Sequence, residues 1–470
     1  MRVVILGGGG FRVPLIGRQV AASGLPVREV VLHDTDAARL AVIAAVLAGD
    51  VPGLPVTATT DLDAALRGAD FIFSALRVGG LDGRVSDERT ALGLGLLGQE
   101  TVGAGGLTSA ARTAPVADDL ARRIAAVAPG AWVISMTNPA GIVTEVMSAV
   151  LGPRVIGVCD SPVGLIRRAC AAAGVDPGPS LGAVTDRVDA DYLGINHLGW
   201  LRGLTVDGTD RLPALLADPA RLAATEEGRL FGPDVPRALR ALPNEYLYWY
   251  YANAEALRDV LAAGRTRGEH VRDRQRTFYT AAADAIASGA APEAALEAGP
   301  AAAARLWRDA NDERNRSYFA ELRTGERAGE RDEADVAAGG YESVAIALAA
   351  ALAGGPPARL ILNVRGDGTV PGLAPGTVIE VPCHVDANGA VPLPVSPPSA
   401  HELGLMSAVR GCERDIAAAA LAAPDSPAEA GRLALRAFAT HPLVGSLDAA
   451  RALAATAVPA AVPPASRRSR

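Results

Sequence analysis

Apolar residues follow two rhythms in the first part of the chain. Short apolar runs at Val3–Leu6, Val27–His33, Phe71–Ser74, Trp132–Ser135 and Val155–Val158 read as strands. Between them apolar positions recur every three or four residues, which predicts helices over 12–23, 36–48, 107–127 and 161–173. Strands alternating with helices imply a parallel, doubly wound α/β sheet. The rhythm changes near residue 185. Val184–Val188 and Asp191–Ile195 predict antiparallel strands, followed by helices over 244–263, 268–289, 306–325 and 333–353. Two more strands are expected at Leu360–Val364 and Thr377–Pro382, then helices to about 457. The expected organisation is a nucleotide-binding domain at 1–185, a mixed α+β, mostly helical domain at 186–456, and a disordered Pro/Ala/Arg tail at 457–470.

Composition narrows the functions open to such a chain. With 470 residues, 49% of them hydrophobic, it can bury a large core. A net charge of −7 argues against general binding of nucleic acid or anionic membrane. No stretch reaches the roughly 18 uncharged apolar residues of a membrane span. The start, MRVVILGGGG, reads as a strand entering a turn rather than a signal peptide. Cys159, Cys170, Cys383 and Cys412 lack disulfide-framework or CxxC spacing, so a reduced, cytoplasmic protein is expected. All 45 basic residues are arginine. A Schiff-base lysine, a pyridoxal-phosphate anchor and a P-loop lysine are thereby excluded. A phosphorylated ligand would have to be held by arginine or backbone amides.

Gly7, Gly8, Gly9 and Gly10 follow the first strand and open a helix, where the pyrophosphate of a dinucleotide sits in Rossmann-like folds. The fingerprint is incomplete, because Arg12 stands at its third glycine position. Asp34 closes the second strand, where a carboxylate bonds ribose hydroxyls and disfavours the extra phosphate of NADP, so NAD is the expected cofactor. Asp34 or Asp36 would also serve as the N-cap of the next helix.

The segments LRVGGLDGRVSDE (76–88), GLLGQETVGAGG (95–106), TNPAGIVTE (137–145), GVCDSP (157–162) and GINHLGW (194–200) resemble glycoside hydrolase family 4, the NAD- and metal-dependent glycosidases. PNEYLYWYY (243–251) and TRGEHV (266–271) extend the resemblance over most of the chain. The RVGG form is similar to the 6-phospho-β-glucosidase branch. The resemblance implies a lactate/malate dehydrogenase-like fold, a homo-oligomer (dimer or tetramer), and a phosphorylated disaccharide or β-glucoside such as cellobiose 6-phosphate as substrate. It also implies redox-assisted elimination, outside the usual two-carboxylate scheme. Hydride leaves sugar C3 for NAD, a base takes the C2 proton, the glycosidic oxygen is expelled, and water addition and hydride return follow.

Carried onto this chain, the resemblance makes Cys159 and His197 the ligands of Mn2+ or another divalent metal and Tyr246 the base. A phenol in that role needs a nearby cation. Tyr246 also fits one face of an aromatic helix with Trp249 and Tyr250. Arg84 and Arg267 are implied for the sugar phosphate, Arg77 for the cofactor, and Asn138 and Asn196 for sugar hydroxyls. Asp160 departs from the β pattern. CD-x-P is similar to the phospho-α branch, where the aspartate acts as an acid, although Asp160 would equally cap the helix starting near Pro162. The longer RVGG block favours β. Rival expectations are an unphosphorylated-glycoside hydrolase, a plain NAD-dependent sugar or hydroxyacid dehydrogenase, and a non-enzymatic NAD-binding scaffold.

Overall fold

The five apolar runs of the first half become five of six parallel strands, β1 (Arg2–Leu6), β2 (Glu29–His33), β3 (Val56–Thr59), β4 (Phe71–Ser74), β5 (Trp132–Ser135) and β6 (Val155–Gly157), of which β3 is the one not predicted. Their order is β3-β2-β1-β4-β5-β6, the doubly wound arrangement with its switch point beside β1. The computed structural model describes residues 1–178, 187–288, 295–316 and 340–458. The predicted strand Val184–Val188 falls mostly outside them, as do the ends of the helices predicted at 306–325 and 333–353 and most of the 457–470 tail.

Helices α1 (Val13–Ala22), α2 (Ala37–Asp50), α3 (Leu62–Leu66), α4 (Gly80–Gly93), α5 (Gly103–Val127), α6 (Ala140–Leu151) and α7 (Ser161–Ala172) connect these strands and cover the sheet. Three departures from the sequence pattern have simple causes. β3 is a half-exposed edge strand, so it lacks the apolar run that marks its neighbours. α4 is rich in Gly, Asp and Arg and buries the carboxylates Asp87 and Glu88 as well as Val85, which hides its apolar stripe. α5 begins at Gly103 rather than 107, because its glycine-rich first turn packs flush on the backbone of Gln99 and Thr101, which leaves no space for side chains.

The second half adds β7 (Asp189–Ile195), β8 (Leu198–Val206), β9 (Thr209–Asp210), β10 (Leu242–Pro243), β11 (Ala358–Arg365), β12 (Val378–Asp386) and β13 (Gly389–Pro392). All pair antiparallel and extend the same sheet. The main path continues from β6 through β11, β12, β7 and β8 to β10. The junction is narrow: β11 meets β6 at the single pair Asn363↔Gly157. The helix predicted over 244–263 is broken into a 3-10 turn at Glu245–Leu247, a short helix at Tyr248–Tyr251 and a longer one at Asn253–Ala263.

One large apolar core runs under both halves, with Ile5, Leu32, Phe73, Tyr192, Trp200, Trp307 and Leu362 in a continuous cluster. A second core lies on the other face, where the helices Ala400–Ala422, Pro427–Thr440 and Leu447–Ala457 pack back on α5. Among the described residues no helix is long and apolar enough to cross a membrane.

Candidate active site

At the nucleotide end, Gly7 has φ +83°, and a Cβ there would lie 2.5 Å from the carbonyl oxygen of Ala75, so only glycine fits. The N–H groups of Gly7 and Gly8 donate to His33 O, and Gly10 N–H closes the turn on Gly7 O. α1 then begins at Val13 with Pro14 in its first turn, its N-terminus facing the end of β1. Asp36, not Asp34, caps α2, accepting from the N–H groups of Ala38 and Arg39. Asp34 is left at the carboxyl end of β2, where its Oδ2 accepts from Gly9 N–H at 2.9 Å. A dinucleotide fits this cradle of glycines at the mouth of α1.

Cys159 lies just past β6 and is buried. Burial, together with the charges of Glu380 and Asp160, pushes its thiol well above the ordinary range. His197 occupies the second position of the two-residue turn between β7 and β8 with φ +62°, a slot that glycine or asparagine usually fills. A β-carbon at that φ costs roughly 1 kcal/mol, so something other than the turn requires imidazole here.

The tautomer of His197 follows from its partners. The Thr101 hydroxyl donates to Gln99 Oε1, so Thr101 Oγ1 is left to accept from His197 Nδ1–H at 2.7 Å. His197 Nε2 therefore carries the lone pair, and it is buried with no hydrogen-bond partner. Burial holds this histidine down to about 4, so it is neutral near pH 7. The ring of Tyr246 stacks on it, 3.6 Å between centroids and 4° from parallel. Tyr246 is held by its own N–H donating to the Asn244 side chain. Trp249 lies buried in an apolar cluster with Leu97 and Leu230, and Tyr250 faces His441.

A divalent cation fits this niche. Nε2 is an unsatisfied buried acceptor, its orientation is fixed from behind by Thr101, and a cation would favour the thiolate that burial opposes. Among the described residues no group of three or more His, Cys, Asp or Glu is placed to hold a metal. Two protein ligands leave the remaining positions to oxygens of a bound molecule.

Around this centre the other residues divide. Asp160 is buried at the N-cap position of α7 but makes no side-chain capping bond, and a Cβ on Gly340 would lie 3.1 Å from its Oδ2. Asn138 Oδ1 is buried without a partner, before the cis Asn138–Pro139 bond that enters α6. Asn196 donates to Glu380 through Nδ2 at 3.2 Å. Arg84, on α4, donates to Glu88 at 2.6 Å and to Glu100 at 2.5 Å. Arg77 pairs with the same Glu100. Burial raises Glu100, but Arg77 and Arg84, with Arg314 beyond them, hold it at about 2. Glu88 also accepts from Gly268 N–H, which brings buried Arg267 to the same cluster.

Four residues that sequence reasoning missed belong to this region. Thr101 and Glu100 lie inside the GLLGQET segment, which was a usable signal. Glu245 is buried and pushed up to about 8 by burial, despite Arg168 nearby and a 2.6 Å hydrogen bond from Ser161 Oγ. Glu380 is buried in β12 and accepts from Tyr192, Asn196 and Asn363, which arrive from β7, its following turn and β11. Glu245 lies inside the PNEYLYWYY segment, next to Tyr246, whereas Glu380 carries no local sequence mark.

The parallel half offers a dinucleotide cradle, and the buried Cys159 thiol and His197 imidazole are donors of the kind that suit a divalent cation. The molecule is thus a protein of the dinucleotide-binding, doubly wound fold. The profile described as "Family 4 glycosyl hydrolase" matches residues 2–174, and that described as "Family 4 glycosyl hydrolase C-terminal domain" matches residues 192–444. The chain belongs to glycosyl hydrolase family 4. A probable 6-phospho-beta-glucosidase of Bacillus subtilis is 32% identical over 282 residues, 57% of this chain and 62% of that protein. The match thus spans about three fifths of that relative's length. A 6-phospho-alpha-glucosidase of Leptotrichia buccalis is 26% identical over 82% of each chain. The 6-phospho-beta glucosidase of Thermotoga maritima, solved with NAD and glucose-6-phosphate, superposes with a TM-score of 0.75 over 97% of both chains at 22% identity. At that identity the superposition establishes the shared fold.

Proposed function

We propose that this chain is an NAD- and divalent-metal-dependent 6-phospho-β-glucosidase acting on phosphorylated β-glucosides. The observation that carries the reading is the His197–Tyr246 stack, with Nε2 bare and buried on one side of the pair. It sets a phenol beside an imidazole that can hold a cation, the pairing a base needs to work on an acidified carbon. When bound, NAD and the metal supply a reversible hydride acceptor and a Lewis acid.

The chain's own residues do the rest in this reading. Cys159 Sγ and His197 Nε2 hold the metal, and Tyr246 takes the proton from sugar C2. Asp160 gives a proton to the departing oxygen. Asn138 and Asn196 orient hydroxyls, and Gly7 to Gly10 with Asp34 and Arg77 seat the cofactor. Arg84 and Arg267 receive the 6-phosphate, which must compete with Glu88 and Glu100 for Arg84.

The β assignment draws on the RVGG segment and on the higher identity to the Bacillus subtilis relative. A second reading, the α anomer, draws on Asp160 and on the longer span shared with the Leptotrichia buccalis relative. Hydrolysis of p-nitrophenyl β- and α-glucoside 6-phosphates, with NAD and Mn2+ supplied or withheld, separates them. The β substrate is expected to be faster by at least about tenfold, with no lasting NADH absorbance. Activity that survives EDTA and cofactor removal sinks the mechanism; a faster α substrate transfers it to the other anomer.

A further inference from the structure

We propose that the C-terminal half holds the dinucleotide loop in its binding shape, through Tyr279, Trp307 and Glu342, and so sets the affinity for NAD. The proposal rests on the functional reading above. The phenol of Tyr279, on the helix Arg267–Ser288, donates to Gly9 O at 2.6 Å. The indole N–H of Trp307, on the helix Ala295–Arg316, donates to Phe11 O at 2.8 Å. Glu342, on the helix Tyr341–Leu352, accepts from Arg12 Nε and Nη2 at 2.9 and 3.0 Å. Three helices thus grip residues 9, 11 and 12 of one loop from more than 250 positions away.

A planar trans peptide sets its C=O and N–H on opposite sides, so holding a carbonyl also aims the next amide. Tyr279 fixes the 9–10 peptide, whose N–H closes the turn on Gly7 O at 2.9 Å. Trp307 fixes the 11–12 peptide and turns the Arg12 N–H away from itself, at the mouth of α1, where a pyrophosphate would lie. Both grips are rigid. Trp307 is fully buried, Phe11 meets Phe278 edge-on at 5.3 Å, and the Arg39 guanidinium covers the Tyr279 ring at 4.0 Å. Burial raises the Tyr279 phenol and keeps it a donor.

This arrangement also accounts for Arg12 at the third glycine position. That glycine ordinarily lets helix and strand pack closely. Here the side chain instead leaves the loop, stacks over Tyr341 at 5.0 Å and pairs with Glu342. The loop exchanges a local packing device for a tertiary one.

The test is calorimetric titration of the full-length protein with NAD and, separately, with glucose 6-phosphate. Tyr279→Phe removes one hydroxyl and is expected to weaken NAD about tenfold while glucose 6-phosphate stays within about twofold. Glu342→Gln, a second variant of unchanged shape, should weaken NAD about threefold. Tyr251→Phe serves as the control, because its phenol bonds Trp200 and His401 rather than the loop. Amide exchange should quicken at residues 7–13 in Tyr279→Phe and not elsewhere. NAD affinity within about twofold of a binding parent in both variants overturns the clamp, and so does an equal loss of both ligands. No NAD binding by the parent overturns the functional reading, and the clamp with it.

Discussion

Cys159 and His197, the two residues proposed to hold the metal, come from opposite kinds of structure. Cys159 comes off the end of a parallel strand, where the doubly wound topology brings every strand's carboxyl end to one edge, so backbone alone delivers it. His197 comes from a tight antiparallel turn in a disfavoured backbone region, and its ring is aimed by side chains: Thr101 behind it and Tyr246 on its face. The parallel half places chemistry by topology. The antiparallel half places it by tethers, and a tether is the easier thing to cut.

The comparison gives three expectations of decreasing size. Tyr246→Phe leaves the stack and removes only the phenol; kcat should fall about a hundredfold to ten-thousandfold in steady-state assays. Mn2+ affinity should hardly move, and a variant that lost metal and turnover together would show that the phenol serves the niche rather than the proton. Thr101→Val cuts the tether and lets the imidazole choose its tautomer, which should weaken Mn2+ binding about tenfold to a hundredfold by EPR titration. No change there would mean that the turn alone aims His197. Last is pH. The Cys159 thiol is raised and still protonated near neutrality, whereas His197, at about 4, has no proton to lose. Metal binding should therefore release one proton, and Mn2+ affinity should climb about tenfold per pH unit between 6 and 8. A flat profile would mean that the thiol is not a ligand.

Legibility followed the same division. Phe71–Ser74 and Trp132–Ser135 were predicted with the bounds they have, because fully buried parallel strands read as unbroken apolar runs. The helix predicted at 268–289 is observed at Arg267–Ser288. β3 was missed for want of burial, and β8 because its outward positions carry Arg202 and Gly203 within an otherwise apolar run. In the site, Cys159, His197 and Tyr246 stood out through their motifs. Thr101 and Glu245 lay inside quoted motifs but were not singled out, and Glu380 lay in none, because their roles are made by contacts between residues 96, 84 and 188 positions apart. Nothing local marks a carboxylate that is buried only when three strands meet.

Gly157 gives the β6–β11 junction an engineering meaning. A single methyl group there would sit 2.4 Å from Thr144 Oγ1 and 2.8 Å from the Asn363 Cβ. The glycine is a zero-thickness shim between the two half-sheets. Cys159 lies two residues beyond the end of that strand, and Asn363 is bonded to the Glu380 that also holds Asn196, the neighbour of His197. Cys159 and His197 therefore flank the two ends of one row, Gly157, Asn363, Glu380 and Gly194, that crosses β6, β11, β12 and β7. Anything that widened this shim would be passed along that row from the parallel half-sheet to the antiparallel one, however well the two halves folded on either side.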